Sequence, residues 1–126
     1  AAVALLLAAC GQNKPEMGKA KECVEGLLNN IKTDNYEALG KYYSSAYNES
    51  TSKEQRIEKL NKLKELLGAI ESFQVVDSLV QENDDATAIV LTYKVNHTKI
   101  PTNEKFIVIK DEGEYKIMGH NIVQAQ

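Results

Sequence analysis

Three side chains in the second half of the chain have the chemistry of proton transfer: Asp77, Tyr93 and His97. Each lies where apolar and polar residues alternate, a pattern typical of a β-strand with one buried face. Tyr93 and His97 share one face of their segment, and Asp77 shares a face with apolar residues of the preceding segment, namely Phe73, Val75 and Leu79. If these faces line one pocket, the three side chains meet there. A carboxylate among apolar groups can then act as a general base, because desolvation raises its pKa.

The same residues also allow an interpretation without catalysis. His97 is followed by loop-like residues and can lie past the end of its strand. Val76 and Val80 suggest a change of register, so Asp77 can lie at a β-bulge and point outward. His120, near the C-terminus, is typical of a hydrogen-bonded core or edge histidine. Asp77, His97 and Tyr93 therefore stay catalytic candidates without an assigned role.

Four of the six tyrosines fall between residues 36 and 47: Tyr36, Tyr42, Tyr43 and Tyr47. Aromatic rings with a polar tip suit the mouth of a pocket or a protein interface. Tyr36, Tyr43 and Tyr47 are therefore candidate ligand-binding residues. Alternatively, these three share one helical face with Leu39 and pack a helix against a sheet.

Two helices are predicted before residue 44. In the first, over residues 16–32, apolar side chains recur at spacings of three and four. They are Met17, Ala20, Val24, Leu27, Leu28 and Ile31. Asp34, with Glu37 three residues later, predicts the capped start of a second, shorter helix.

Residues 44–52 are predicted to form a loop, followed by a third helix. Thr51 or Ser52 is expected to cap it, and Gly68 stands where a C-terminal cap glycine is expected. Three helices come before the sheet in this prediction.

The remainder predicts four antiparallel strands. A turn at Asn83–Asp85 joins the first two strands, and a turn at Asp111–Glu114 joins the last two. The third strand, around residues 106–109, is apolar on both faces, which indicates a central strand or a dimer contact. The fold class is α+β, with three N-terminal helices packed on a four-stranded antiparallel sheet.

The segment AAVALLLAA at residues 1–9 is too short to span a bilayer, which takes about 20 apolar residues. It matches the apolar core of a secretory signal peptide, and we expect the sequence to begin inside that signal. The four residues Leu7-Ala8-Ala9-Cys10 resemble the lipobox of bacterial lipoproteins. That resemblance implies cleavage before Cys10 and acylation of its thiol.

Three segments follow from this expectation: a partial signal peptide at 1–9, the lipidated cysteine and a tether at 10–15, and one domain at 16–126. The predicted location is the cell envelope, with the lipid anchor as the membrane contact. Gly11 is not acidic, which points to the outer membrane if the host is Gram-negative.

The order of the elements resembles the nuclear transport factor 2-like superfamily, also called cone or cystatin-like. The resemblance rests on TDNYEAL at 33–39 and GEYKIMGHNI at 113–122. It implies a curved sheet around helices, with a pocket between them. In some members that pocket performs isomerisation or dehydration with an Asp or His base and a Tyr oxyanion donor. Those roles would fall on Asp77, His97 and Tyr93.

Composition narrows the function classes. The net charge is −3, and the chain has one Arg, Arg56, and no basic stripe, so we expect no nucleic-acid binding. There is no Gly-rich phosphate loop and no metal-ligand spacing of Cys or His, so no cofactor and no metal are predicted. If Cys10 is acylated, Cys23 is left alone and is expected to be an inert buried thiol.

The sequence thus predicts a lipid-anchored binding module for a protein partner, an envelope component or a small apolar ligand. One alternative is a small isomerase or dehydratase that uses Asp77 and His97. Another is a structural or dimerising surface protein that uses the outer sheet face around Phe106 and Val108.

Overall fold

The computed structural model describes residues 16–82 and 86–125. Four helical segments come first: α1 (Met17–Lys32), a 3₁₀ helix (Tyr36–Tyr42), α2 (Ser45–Ser50) and α3 (Lys53–Leu67). Four strands follow: β1 (Ile70–Glu82), β2 (Thr87–His97), β3 (Thr102–Asp111) and β4 (Glu114–Gln124). Helices followed by a four-stranded antiparallel sheet confirm the α+β class.

The sheet is a meander with the order β1-β2-β3-β4, so β2 and β3 are its central strands. The apolar third strand is therefore central, as one of the two alternatives predicted. The predicted turn at 111–114 is a tight hairpin, because Glu112 has φ 53° and Gly113 has φ 84°. Two successive positive φ angles are typical of the type I′ turn, whose twist matches that of the flanking strands. The turn predicted at Asn83–Asp85 lies outside the described residues.

The core lies between the helices and the inner face of the sheet. The stripe of α1 contributes side chains with no exposed surface, namely Ala20, Val24, Leu27 and Leu28. The inner face of the sheet contributes further buried residues, among them Leu91, Tyr93, Phe106, Val108 and Ile117. Each large apolar side chain buried in this way contributes about 1.5–3 kcal/mol to stability.

Phe106 and Val108 therefore face the helices, and the expectation that they form an outer surface is wrong. In β3 the residues at even-numbered positions point inward, because side chains alternate between the two faces of a strand. The outer face carries Ile107 and Ile109 instead, both half-buried.

The segment between α1 and α3 differs from the prediction in three respects. The second helix is a 3₁₀ helix, and a short α-helix, α2, replaces the predicted loop at 44–52. The side chain of Ser44 caps α2 by accepting from the backbone N–H of Tyr47. Asp34 caps no helix, because its carboxylate binds Lys64 Nζ at 2.8 Å and its own φ is 61°.

The boundaries of α3 follow the sequence. Ser52 and Gln55 form a reciprocal capping box at its start. Gly68 ends the helix with φ 89°, a backbone conformation that favours glycine. The backbone N–H groups of Lys99 and Ile100 then donate to the carbonyl of Leu67, the last residue of α3. These bonds hold the end of α3 against the loop between β2 and β3.

Candidate functional site

A small cleft of about 40 Å³ lies between the end of α1, the end of α3 and one end of the sheet. Its walls are mainly apolar, with side chains from both helices and from β1 and β4: Ile31, Leu60, Leu63, Leu67, Ile70 and Ile122. A cavity of this size has room for about three water molecules. The cleft therefore suits a small group rather than an extended substrate.

Three polar side chains, His97, Glu104 and His120, form the floor of the cleft. Together with Thr102, which is hydrogen-bonded to Glu104, they make up what we call the histidine–glutamate cluster. The Glu104 carboxylate is at its centre, and the residue is only 3% exposed. Oε2 of Glu104 accepts from the Thr102 hydroxyl at 2.7 Å and lies 3.3 Å from Nε2 of His97. Oε1 lies 2.9 Å from Nε2 of His120.

The antiparallel order of the strands builds this cluster. His97 is the last residue of β2, and Thr102 and Glu104 occupy inward positions at the start of β3. His120 comes from the adjacent strand β4, where its ring stacks on Phe106 at a centroid distance of 4.1 Å. The end of β2, the start of β3 and the later part of β4 lie at the same end of the sheet. Residues that are distant in sequence therefore become neighbours.

Electrostatics favour the ionised form of Glu104. Burial raises the pKa of its carboxyl, but hydrogen bonds from His120, His97 and Thr102 outweigh that effect and lower the pKa to about 2. The carboxylate is thus charged at neutral pH. On His97 both ring nitrogens face acceptors, since Nδ1 lies 3.3 Å from the Gly68 carbonyl oxygen.

Two further charged side chains lie at the cleft. Lys64 Nζ binds Asp34 Oδ1 at 2.8 Å, and the Tyr36 hydroxyl lies 3.4 Å from the same oxygen. Asp34 has φ 61°, which is uncommon outside glycine, and residues in such conformations cluster at functional sites. This ion pair is exposed to solvent, in contrast to the buried Glu104.

His97 lines the cleft, whereas Tyr93 does not. Tyr93 lies in the core with no exposed surface, and its hydroxyl donates to Glu25 Oε2 at 2.9 Å. Burial and this hydrogen bond raise the pKa of the Tyr93 hydroxyl. The hydroxyl is therefore turned toward α1 and away from the histidine–glutamate cluster.

Asp77 is not in the cleft, and the expectation that it shares the face of Phe73 and Val75 is wrong. The register between β1 and β2 shifts between Val75 and Asp77, and Asp77 is paired with Thr92. This bulge turns the Asp77 side chain to the outer face of the sheet, where it is exposed. The outward alternative is the one that the structure adopts, and Asp77 does not meet His97.

The three tyrosine candidates lie in different elements and not on one helical face. Tyr36 lines the cleft. Tyr43 and Tyr47 stack on each other at 4.2 Å, with the Arg56 guanidinium 5.5 Å from the Tyr43 ring. This stack lies outside the cleft and packs against the hydrophobic core.

Glu104, the central residue of the cluster, is not among the site residues predicted from the sequence. One signal was present: Thr102 and Glu104 precede Phe106 and Val108 at the same alternating positions of β3. Polar residues in line with buried apolar ones indicate polar groups on the inner face.

Within residues 16–82 and 86–125, none of the helices has the length and apolar character needed to cross a membrane. Over the same ranges, no three His, Cys, Asp or Glu side chains are grouped so that they could hold a metal ion. Cys10 lies outside the described residues. Cys23 is half-buried, and burial raises the pKa of its thiol to about 11, so the thiol stays protonated at neutral pH.

Comparison with curated proteins found no match. A family model matches residues 8–118, which is most of the chain and includes Cys10 and the histidine–glutamate cluster except His120. The chain therefore belongs to the family described as a domain of unknown function, DUF4878.

Proposed function

We propose that this protein is a lipid-anchored extracytoplasmic lipoprotein whose domain, of the nuclear transport factor 2-like type, binds a small apolar ligand in the cleft. The observation that carries the ligand proposal is the apolar cleft with the histidine–glutamate cluster at its floor. Ligand sites are typically concave and mostly apolar, with a few polar groups that fix orientation. The cleft has both properties.

Support for the anchor comes from the resemblance of residues 7–10 to a lipobox. The domain geometry is compatible with it. The backbone N–H of Glu16, just before α1, donates to the Tyr115 hydroxyl at 2.9 Å. Ile31, near the other end of α1, lines the cleft. A helix of 16 residues is about 24 Å long, so the cleft lies at the end of α1 that is away from Glu16.

A comparison of two cysteine variants tests the anchor. Cys10→Ala is expected to move the protein from the membrane fraction to the soluble fraction and to abolish labelling by fatty acid. Cys23→Ala is the matched control. This variant is expected to stay in the membrane fraction, because Cys23 lies within α1 and is not the proposed acylation site. Membrane retention of unlabelled Cys10→Ala protein would contradict the proposal.

Binding of toluene, followed by NMR on residues 16–126, tests the cleft. We expect resonances of the cleft side chains to shift and saturate with toluene concentration. Leu63→Glu places a charge in the apolar wall and should weaken binding at least about tenfold. Leu66→Glu is the matched control on the same helix, since Leu66 is 65% exposed and does not line the cleft. Equal effects of the two variants, or no binding by the wild type, would contradict the proposal.

A further inference from the structure

We infer that β1 is an interface for a second copy of this chain. The two β1 strands pair antiparallel along their free edges, with Leu79 at the two-fold axis, and this pairing joins the two four-stranded sheets into one continuous sheet. The inference goes beyond the proposed function, because it concerns one edge of the sheet and not the cleft.

The two edges of the sheet differ in how they are covered. At the β4 edge, Tyr43 forms a β-bridge to Ile117, and the backbone N–H of Ser44 donates to the Ile117 carbonyl at 2.9 Å. Strand β1 pairs with β2 on one side. Within residues 16–82 and 86–125, no backbone hydrogen bond joins its other side to the rest of the chain. An edge strand directs unpaired N–H and C=O groups outward, and these groups are a template for another strand.

The second half of β1 combines this free edge with exposed apolar side chains. Val76, Leu79 and Val80 are 52%, 51% and 36% exposed. Every residue from 76 to 82 is exposed, so both faces of this half are open to a partner. The strand also contains no Lys and no Pro, two residues that commonly protect an edge from association. An apolar edge without this protection favours pairing with another strand.

The sequence of this half is complementary to itself in one antiparallel register. After the bulge, the pairing of Asp77 and the following residues with β2 is regular. A two-fold axis that passes through the sheet at Leu79 places Ser78 opposite Val80 of the second copy, and Asp77 opposite Gln81 of the second copy. Each Asp77 carboxylate then faces an amide that can donate to it. No two acidic side chains lie opposite each other in this register, so charge repulsion does not oppose it.

Apolar contacts on the outer face favour the axis at Leu79. Leu79 is paired with Val90, and Val90 is paired with Ile107, so the three side chains form a row across the outer face. In the proposed register, Leu79 lies against Leu79 of the second copy, and the row continues into the second sheet. An axis moved by one residue in either direction interrupts this row, and at Ser78 it would place Asp77 opposite Leu79. Apolar cross-strand pairs stabilise a sheet, so the register with the continuous row is the favoured one.

Single cysteines test the pairing in a full-length chain without its own thiols, Cys10→Ala and Cys23→Ala. Oxidation of cells that produce the protein should join copies with Leu79→Cys, because opposite residues of an antiparallel pair lie within the reach of a disulfide. Val76→Cys is the matched control, since Val76 is as exposed as Leu79. In the proposed register the two Val76 positions are about 20 Å apart along the strands, too far for a disulfide. We expect at least about tenfold more disulfide dimer for Leu79→Cys than for Val76→Cys.

A mixed pair tests the register on the other face of the strands. Copies with Ser78→Cys and copies with Val80→Cys should form the mixed disulfide dimer in preference to either self-dimer, because these two residues lie opposite each other. Leu79→Asp, added to both copies, should lower the yield of the mixed dimer at least about threefold, since it places two carboxylates opposite each other.

Three results would overturn the inference. The first is as much dimer with Val76→Cys as with Leu79→Cys, which indicates random collision. The second is the absence of dimer both for Leu79→Cys and for the mixed pair. The third is a Leu79 cysteine joined only to a different protein, which would mean that another strand occupies the edge. None of these results bears on toluene binding in the cleft, so the proposed function is tested separately.

Discussion

Nε2 of His120 lies 2.9 Å from Oε1 of Glu104, and the two residues belong to the neighbouring strands β4 and β3. The carboxylate is nearly inaccessible to water, so this contact and those from Thr102 and His97 replace its hydration. A buried charge without such partners would be strongly destabilising. The cluster thus holds three strands together at the floor of the cleft.

Glu104 should make stability depend on pH in the acid range. The pKa of its carboxyl is about 2 in the folded protein, against an ordinary value of 4.5. Because the folded pKa is the lower one, this stabilisation is complete above about pH 4.5 and is lost as the pH falls toward 2. The shift corresponds to about 3 kcal/mol in the free energy of unfolding. Glu104→Gln should therefore be destabilised by about this amount at pH 7, and much less at pH 2.5.

Urea denaturation at pH 7 and pH 2.5 measures this difference. Glu71→Gln is the control, since Glu71 is an exposed glutamate on β1, and its stability should follow the wild type at both pH values. A Glu104→Gln variant as stable as wild type at pH 7 would show that the carboxylate contributes nothing through its charge.

Asp77→Asn should change the free energy of unfolding by less than about 0.5 kcal/mol. The bulge puts Asp77 on the exposed outer face, and substitutions at such positions rarely have larger effects. Urea denaturation at pH 7, beside the Glu104→Gln variant, gives the comparison. A loss above about 1 kcal/mol would indicate that Asp77 has a structural partner.

Much of the fold could be predicted because its signals are local. The apolar stripe of α1 repeats over more than four turns, and the capping box at Ser52 and the glycine at 68 mark the ends of α3 within a few residues. Alternation along β3 and the Glu112–Gly113 turn define the last hairpin in the same way. These features need no knowledge of the remainder of the chain.

The candidate site could be predicted only in part, because it depends on contacts between distant residues. A register shift of one residue sends Asp77 to the outer face, and nothing in its own segment fixes that shift. Asp34 has the sequence of a helix cap, but Lys64, thirty residues away, binds its carboxylate. Glu104 becomes central only after the strand order brings His97 and His120 to its two oxygens.

Tyr93→Phe should lower the free energy of unfolding by about 1–2 kcal/mol and leave toluene affinity unchanged. The hydroxyl donates to Glu25 Oε2 at 2.9 Å, and hydrogen bonds to charged groups are the stronger ones. A double-mutant cycle with Glu25→Gln measures their coupling. Additive losses would show that the bond contributes nothing. A fall in toluene affinity would instead show that Tyr93 contributes to the cleft.

Gly68→Ala should be strongly destabilising, by about 2–4 kcal/mol. Its φ of 89° is unfavourable for alanine, and a Cβ there would overlap the Thr98 hydroxyl and lie 2.9 Å from the Lys99 backbone nitrogen. Gly113→Ala is the matched control, because it has φ 84° but no atom within 4 Å of the added Cβ. Its loss should be only about 1 kcal/mol. Equal losses in urea denaturation would mean that backbone conformation alone accounts for Gly68. A larger loss at Gly68 is the expected result, because only there does the added Cβ also meet the β2–β3 loop.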